Sequence, residues 1–477
     1  AQKLGFDFYS IHFFARSLGK IKAIALGDYV VNLGQGLTQW QSLGFGKSAD
    51  VMNSKRQSAV ILPYRSSGEF YFNRGAAATV SFKNVETTAF VSYKTFSGNL
   101  ATDSIERFTS FSTSGYYRTR SEIADRYKLT DFSFGGNLSY QKNSLKVGLN
   151  AVAHQFSLPM KKRDEPYNYF SFTGKEALSA SIDYSYTFKN IHLFGEGAID
   201  KNFNKAFVQG ALISADPKVD ISFLYRNIAK NYTSLFGNAF TENTLPANEK
   251  GLYLGLLLRP IAGWQIAAYA DYYEFPFLKY RINSPTHGAD YLAQLTYLPN
   301  KATEIYLRYR TESKPINETG APWVINFPIE KIKQNLRLNY TTQINNAISI
   351  KGRTELLWYD KKGKGSQEGF LSYLESAYHS SFKLKGNLRL QYFETGGYDS
   401  RIYAYEADVL YSFSLPSFYD AGVRYYLNAS YDAGKKLTLW VRLAQTIFRE
   451  KLKVGSGLDE IKGNKRTEVK GQIKYSF

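Results

Sequence analysis

From Leu178 to Lys189 the chain reads LSASIDYSYTFK, with every second residue apolar. Leu178, Ala180, Ile182, Tyr184, Tyr186 and Phe188 share one face, and Ser179, Ser181, Asp183, Ser185, Thr187 and Lys189 the other. Side chains alternate across a strand, so this segment predicts one apolar wall and one polar wall. The split recurs at Val219 to Arg226, where Asp220, Ser222 and Arg226 oppose Val219, Ile221, Phe223 and Tyr225. It recurs again at Glu304 to Glu312, where Arg308 and Arg310 oppose Leu307 and Tyr309. Such segments run about 10–13 residues, enough for a tilted membrane strand, whereas soluble strands average about 5–6. An arginine on a lipid face near mid-membrane would cost about 2–4 kcal/mol. The polar face therefore has to line the lumen.

The connections have a rhythm of their own. Tight turns are expected near Lys83-Asn84, Lys142-Asn143, Lys189-Asn190, Asp216-Pro217, Ala262-Gly263, Pro299-Asn300, Asn345-Asn346, Lys385-Gly386 and Ala433-Gly434. Between most of them lie longer polar stretches, about 97–129, 157–176, 229–248, 275–287, 313–329 and 449–465. Short periplasmic turns alternating with long extracellular loops are the outer-membrane arrangement. The expected fold is all-β: a single large antiparallel transmembrane β-barrel of about 22–24 strands spanning 1–477. The segment Asp399 to Asp432 resists division into strands.

The last strand carries Val469, Gly471, Ile473, Tyr475 and Phe477 on one face, and the chain ends on Phe477. Ile473, Tyr475 and Phe477 resemble the C-terminal aromatic signal by which barrels are handed to their insertion machinery, an expected partner. If this strand runs down into the periplasm, counting back makes Phe70 to Phe82 descend, Ile21 to Leu33 rise and Gly5 to Arg16 descend. At least one rising strand is then expected before Ala1, giving about 24 strands in an intact protein where about 23 are counted here. No signal peptide is visible, so the compartment is inferred from the barrel pattern.

Composition agrees with that pattern. Aromatics make up 16% of the residues, led by 38 Tyr and 34 Phe, as bilayer interfaces select. Mean hydropathy is −0.35, and no apolar run approaches the ~18 residues of a membrane helix. There are no cysteines, which excludes a disulfide framework and Cys-based metal or redox chemistry. The net charge of +19 is scattered along strands and loops and forms no basic stripe. Lumen lining and contact with outer-membrane lipids and anionic lipopolysaccharide account for it, and nucleic acid is not an expected partner of this chain.

The stretch Gly27 to Arg56 (GDYVVNLGQGLTQWQSLGFGKSADVMNSKR), Phe72 to Ala77 (FNRGAA) and Gly455 to Phe477 (GSGLDEIKGNKRTEVKGQIKYSF) are similar to a family of Bacteroidota outer-membrane proteins. Its members are described as helix-hairpin-helix domain-containing proteins: a short helical periplasmic region followed by a large barrel. The resemblance runs along essentially the whole chain and implies barrel fold and outer-membrane location. The helical region and the strand expected before Lys3 are not in this sequence. The family implies no activity.

Candidate chemistry is sparse. Of the five histidines, His12, His154, His192, His287 and His379, none has helical metal-motif spacing. His154 falls on the polar face of Leu145 to Phe156, as lumen lining; His287 with Asp290 is the nearest approach to a catalytic pair. No enzymatic activity, cofactor or metal is expected. Lumen-lining candidates are Asp183, Asp220, Arg226, Arg308, Arg310 and His154. The segment following Leu33 is rich in Gly and amides and carries Gln35, Trp40, Lys47, Lys55 and Arg56. It is read as an extracellular loop folding back over or into the barrel mouth, where Gly permits tight backbone packing. Lys361, Lys362 and Lys364, and Lys161 to Arg163, are candidate contacts for lipid A phosphates. Asp103-Ser104-Ile105 fits a short O-glycosylation pattern.

A wide barrel leaks unless it is filled by loops, a plug or a partner. The preferred reading is a plugged or loop-filled subunit of an outer-membrane assembly for secretion, insertion or uptake. The alternatives are a solute channel or transporter and, through the family's periplasmic motif, a DNA-uptake barrel.

Overall fold

The structure is a computed structural model and describes residues 8–101, 106–318, 326–363, 365–379 and 383–477. Its strands form one large antiparallel sheet of 24, within the 22–24 expected. Three of them, Ile61–Pro63, Gly98–Ala101 and Arg107–Phe111, are short pieces added to the long hairpin strands. Among the described residues no helix is long and apolar enough to cross a membrane.

The chain divides into two compact units. In the first, consecutive strands pair as an antiparallel meander, from His12–Leu18 with Ile21–Val31 through to Lys205–Asp216 with Val219–Ile228. In the second the same meander runs from Pro328–Gln343 to the terminal strand Lys465–Tyr475, which pairs with Leu437–Phe448.

Burial is inverted relative to a water-soluble sheet. Along Val85–Phe96 the residues Thr88, Ser92 and Lys94 are buried, whereas Val91 and Tyr93 are exposed. Along Leu437–Phe448 the pattern is starker: Arg442 is 0% exposed and Val441 52%. Water would not tolerate so many contiguous apolar side chains outside. Lipid would, provided the polar face turns inward and every backbone group pairs within the sheet. The alternation predicted at Leu178 to Lys189 follows this rule: Leu178, Ile182 and Phe188 are exposed, and Ser179 and Ser181 buried.

Most expected turns fall between strands. Pro299-Asn300 ends the strand Thr286–Asn300 and the turn follows it; Lys385-Gly386 lies inside the strand Leu384–Thr395, and the preceding strand ends at His379. Gly386 is a strand residue here, so its presence misplaced the turn. The loop 97–129 carries strands Gly98–Ala101 and Arg107–Phe111 and a short helix, Arg120–Ala124. Thr119 and Glu122 close that helix's first turn as a capping box.

Candidate functional site: the inward-folded segments

In the first unit the chain leaves strand Ile21–Val31 and turns inward over residues 32–60. A chain entering a dry interior must pair its backbone N–H and C=O groups, and amide side chains, which both donate and accept, are suited to that. Asn32 Oδ1 accepts from the backbone N–H groups of Gln41 and Ser42 at 3.1 and 2.9 Å. The Gln35 side chain brackets Arg56, accepting from its N–H at 2.9 Å and donating to its carbonyl at 3.3 Å. Glu196, on strand Ile191–Asp200, accepts from the N–H groups of Gln35 and Leu37 at 2.6 and 3.0 Å.

The loop between strands Val219–Ile228 and Glu249–Leu258 folds in against this segment. Asn238 N–H donates to the Gly36 carbonyl at 2.9 Å, and Trp40 N–H to the Phe236 carbonyl at 2.8 Å. Tyr232 and Ser234 hydroxyls donate to the Leu37 and Thr38 carbonyls. Gly36 has φ +84°, and a Cβ there would lie 2.7 Å from the Asn238 carbonyl oxygen. Only glycine fits this crossing.

The charged residues of the segment lock into the sheet. Arg56 donates to the carbonyls of Phe45, Asn238 and Ala239. Burial pushes its guanidinium down to about 10. Lys47 Nζ pairs with Glu242 at 2.6 Å and Asp271 at 3.0 Å. Asp271 also takes Arg226, through Nη1 at 2.7 Å and Nη2 at 2.9 Å, while Arg226 Nε donates to Glu249 at 2.5 Å. Glu249 in turn accepts from the N–H groups of Glu242 and Asn243, both at 2.8 Å. Arg226 is thus no simple lumen liner. It is the fully buried centre of a network joining three strands and both inserted segments.

Lys55 contacts His192 Nε2 at 2.8 Å. Burial, and then Lys146, lower its ammonium, against Asp183. Asp183 accepts from Asn150 at 2.8 Å and lines a cavity of about 690 Å³ with Lys55, Lys146 and His192. Asp220 sits half-buried beside its turn and accepts from Ser214 Oγ at 2.8 Å.

His154 is on the inner face, with Nδ1 2.9 Å from Asp131. Ser133 stands opposite it in register, but the Ser133 hydroxyl makes no hydrogen bond, and the Phe236 ring lies 4.8 Å from the imidazole. Serine and histidine therefore do not form a nucleophile–base pair. Phe236 belongs to a cluster with Phe70, Phe96, Phe108 and Phe156 that closes this part of the interior.

The second unit repeats the device with residues 396–420, which take up much of the stretch Asp399 to Asp432 that resisted division; its remainder, Ala421–Asp432, is a regular strand. The backbone of residues 396–420 forms a small pair, Ile402–Tyr403 with Ser417–Phe418. Ile402, Ala404 and Phe418 pack on Leu357, Leu371, Tyr373 and Phe393. Glu406 then receives Arg424 through Nε at 2.6 Å and Nη2 at 2.9 Å, and also Arg442. Arg442 Nε donates to the Ala407 carbonyl at 3.1 Å, and Lys470 to Asp408 at 2.5 Å.

Arg310 binds Asp290 through two hydrogen bonds, at 2.9 and 2.6 Å. That contact gives Asp290 a structural partner. Arg308 is half-buried, 5.9 Å from the Tyr306 ring centroid. Lys361 lies over Trp358 at 5.2 Å and Lys362 is exposed; Lys364 and Asp103-Ser104-Ile105 lie outside the described residues. Ile473, Tyr475 and Phe477 are all exposed, with the rings of Tyr475 and Phe477 at 5.2 Å. Among the described residues no group of three or more His, Asp or Glu side chains is placed to hold a metal ion.

Glu196, Glu249, Asp271, Glu406 and Asp408 escaped the sequence reading. Their one available signal was a carboxylate on the polar face of a strand, or in a break between strands, with no neighbour in sequence to suggest its partner.

No protein-family model and no curated protein sequence matches the chain. Among solved structures it is similar to the FrpB iron transporter from Neisseria meningitidis (F5-1 variant, apoprotein form), with TM-score 0.45, 9% identity, and 86% of this chain and 71% of that one covered. It is also similar to the ferric-catecholate import receptor Fiu from E. coli K12, with TM-score 0.43, 7% identity, and 96% and 80% covered. For the copper transporter OprC the values are 0.40, 7%, and 90% and 67%.

Proposed function

We propose that this chain is an integral outer-membrane barrel filled by its own segments, and that it serves as a subunit of an outer-membrane assembly and not as a diffusion pore. One observation carries the reading: in each unit a stretch between strands folds onto the polar face of the sheet and is held there by buried arginines and carboxylates. Loops that merely drape over a pore need no such anchors. Breaking a buried ion pair leaves an uncompensated charge, at about 3–5 kcal/mol, so these segments are built to stay. The exposed apolar face supports the membrane location.

Single-channel recording of the purified chain in a planar bilayer tests it. Verified insertion with a silent trace is expected. Large, stable conductance steps would overturn the filled reading and put a solute channel in its place.

A further inference from the structure

Three loops of the first unit meet at the ends of the strands away from the tight turns: residues 161–173, 229–248 and 276–285. They enclose a cavity of about 520 Å³, within the roughly 300–1,000 Å³ typical of small-molecule sites. The rings of its wall brace one another across loops. Phe170 meets Phe277 edge-on at 4.6 Å between centroids, and Tyr167 meets Tyr280 at 5.7 Å. Lys162 and Lys230 line the same space, and among the described residues no Asp or Glu does. Lys230 Nζ lies 4.7 Å from the Phe170 centroid and 5.6 Å from that of Phe277.

The arginines of the buried networks are matched by carboxylates, whereas the described lining of this cavity supplies none. Arg226, Arg424 and Arg442 each meet a buried carboxylate. Burial alone lowers the Lys162 ammonium, with no carboxylate countering it. Ammonium groups gathered on aromatic walls without an acid attract an anion whose body can lie against the rings.

We propose that this cavity binds a small organic anion with a flat apolar body, its charge met by Lys162 and Lys230 and its body by Phe170 and Phe277. Such chemistry belongs both to a solute arriving from outside and to the anionic part of an outer-leaflet lipid. The site adjoins the interior clamp, since Tyr232 of its lining donates to the Leu37 carbonyl of the inserted segment at 3.1 Å.

The test is calorimetric titration of the full chain in detergent with 2-naphthoate, against 2-naphthylmethylamine as the ring of opposite charge. Saturable binding of the acid alone is expected, weakened about tenfold or more in Lys162→Ala/Lys230→Ala and in Phe170→Ala/Phe277→Ala. Should either variant fail to fold, the unaltered protein must still bind the acid less well at about 0.5 M salt than at low salt. Equal binding of acid and amine, or salt-independent binding, overturns the proposal, as does indifference of the folded lysine variant. Repeating the titration in nanodiscs with and without lipid A separates the sources. Naphthoate excluded by lipid A identifies a lipid ligand, and naphthoate still bound identifies a soluble one.

Discussion

Arg226→Met tests whether the buried networks hold the structure together. The guanidinium is fully buried and makes three charged hydrogen bonds, one to Glu249 and two to Asp271. It rests against Gly251, where a Cβ would come within 2.4 Å of its central carbon, so the neighbouring strand has been kept bare to admit it. Methionine fills much of the volume but leaves Glu249 and Asp271 with Lys47 as the remaining cation of the network. Removing one member of a buried pair costs about 3–5 kcal/mol, which is roughly two to three and a half orders of magnitude in the folded-to-unfolded ratio. Arg226→Met/Glu249→Gln restores the charge balance and leaves an amide oxygen for one of the two N–H groups, Glu242 or Asn243, that bond to separate carboxylate oxygens of Glu249. It should recover more than half of the loss. The assay is urea unfolding in detergent micelles, read by tryptophan fluorescence and by heat-modifiable migration on gels. A single variant within about 1 kcal/mol of the parent would refute the reasoning, since surface-like pairs contribute no more than that. So would a double variant no more stable than the single.

The inserted segments offer further tests. Gly36→Val forces a branched side chain to φ +84° and into the Asn238 carbonyl, at about 1–3 kcal/mol of local strain. Bursts of conductance absent from the parent are expected, and a folded variant as silent as the parent would count against the segment as a seal. Glu406→Gln keeps the shape but leaves Arg424 and Arg442 facing a neutral amide. Proteolysis within residues 396–420 of the folded protein should accelerate about tenfold or more, and an unchanged cleavage rate contradicts the anchor. Glu122 is only partly exposed, and the Arg118 side chain and then the backbone N–H of Arg118 hold its carboxyl down at about 2. Because the folded value is depressed, the cap's contribution is complete above the ordinary value of 4.5 and is lost as pH falls through about 2. An NMR titration of labelled Glu122 with a midpoint near 4.5 would show the capping box to be absent in solution.

The strands were legible because their signal is local. Alternation at Leu178 to Lys189, Val219 to Arg226 and Glu304 to Glu312 needs only that lipid lies on one side and polar groups on the other, and two-residue periodicity reports that without knowledge of the neighbours. The loop after Leu33 was legible in kind: its glycines and amides mark backbone that must pack closely. Its contacts were not. Gln35 and Glu196 are 161 residues apart, and Lys47 and Asp271 are 224 apart. No spacing rule connects such positions, and carboxylates are common enough that any pairing from sequence would be guesswork. Asp399 to Asp432 failed for a related reason: residues 396–420 leave the sheet and fold inward, so no two-residue period covers them until Ala421.

The amino-acid order alone, then, determined the class of fold, which face of each strand meets lipid, and where most strands turn, because each of these follows from side chains within one strand and the solvent around it. Only the tertiary structure decided which segments fill the interior and which carboxylate balances each buried arginine. Those are long-range choices, made by closing loops over many residues so that a charge taken out of water meets an opposite charge or backbone dipoles.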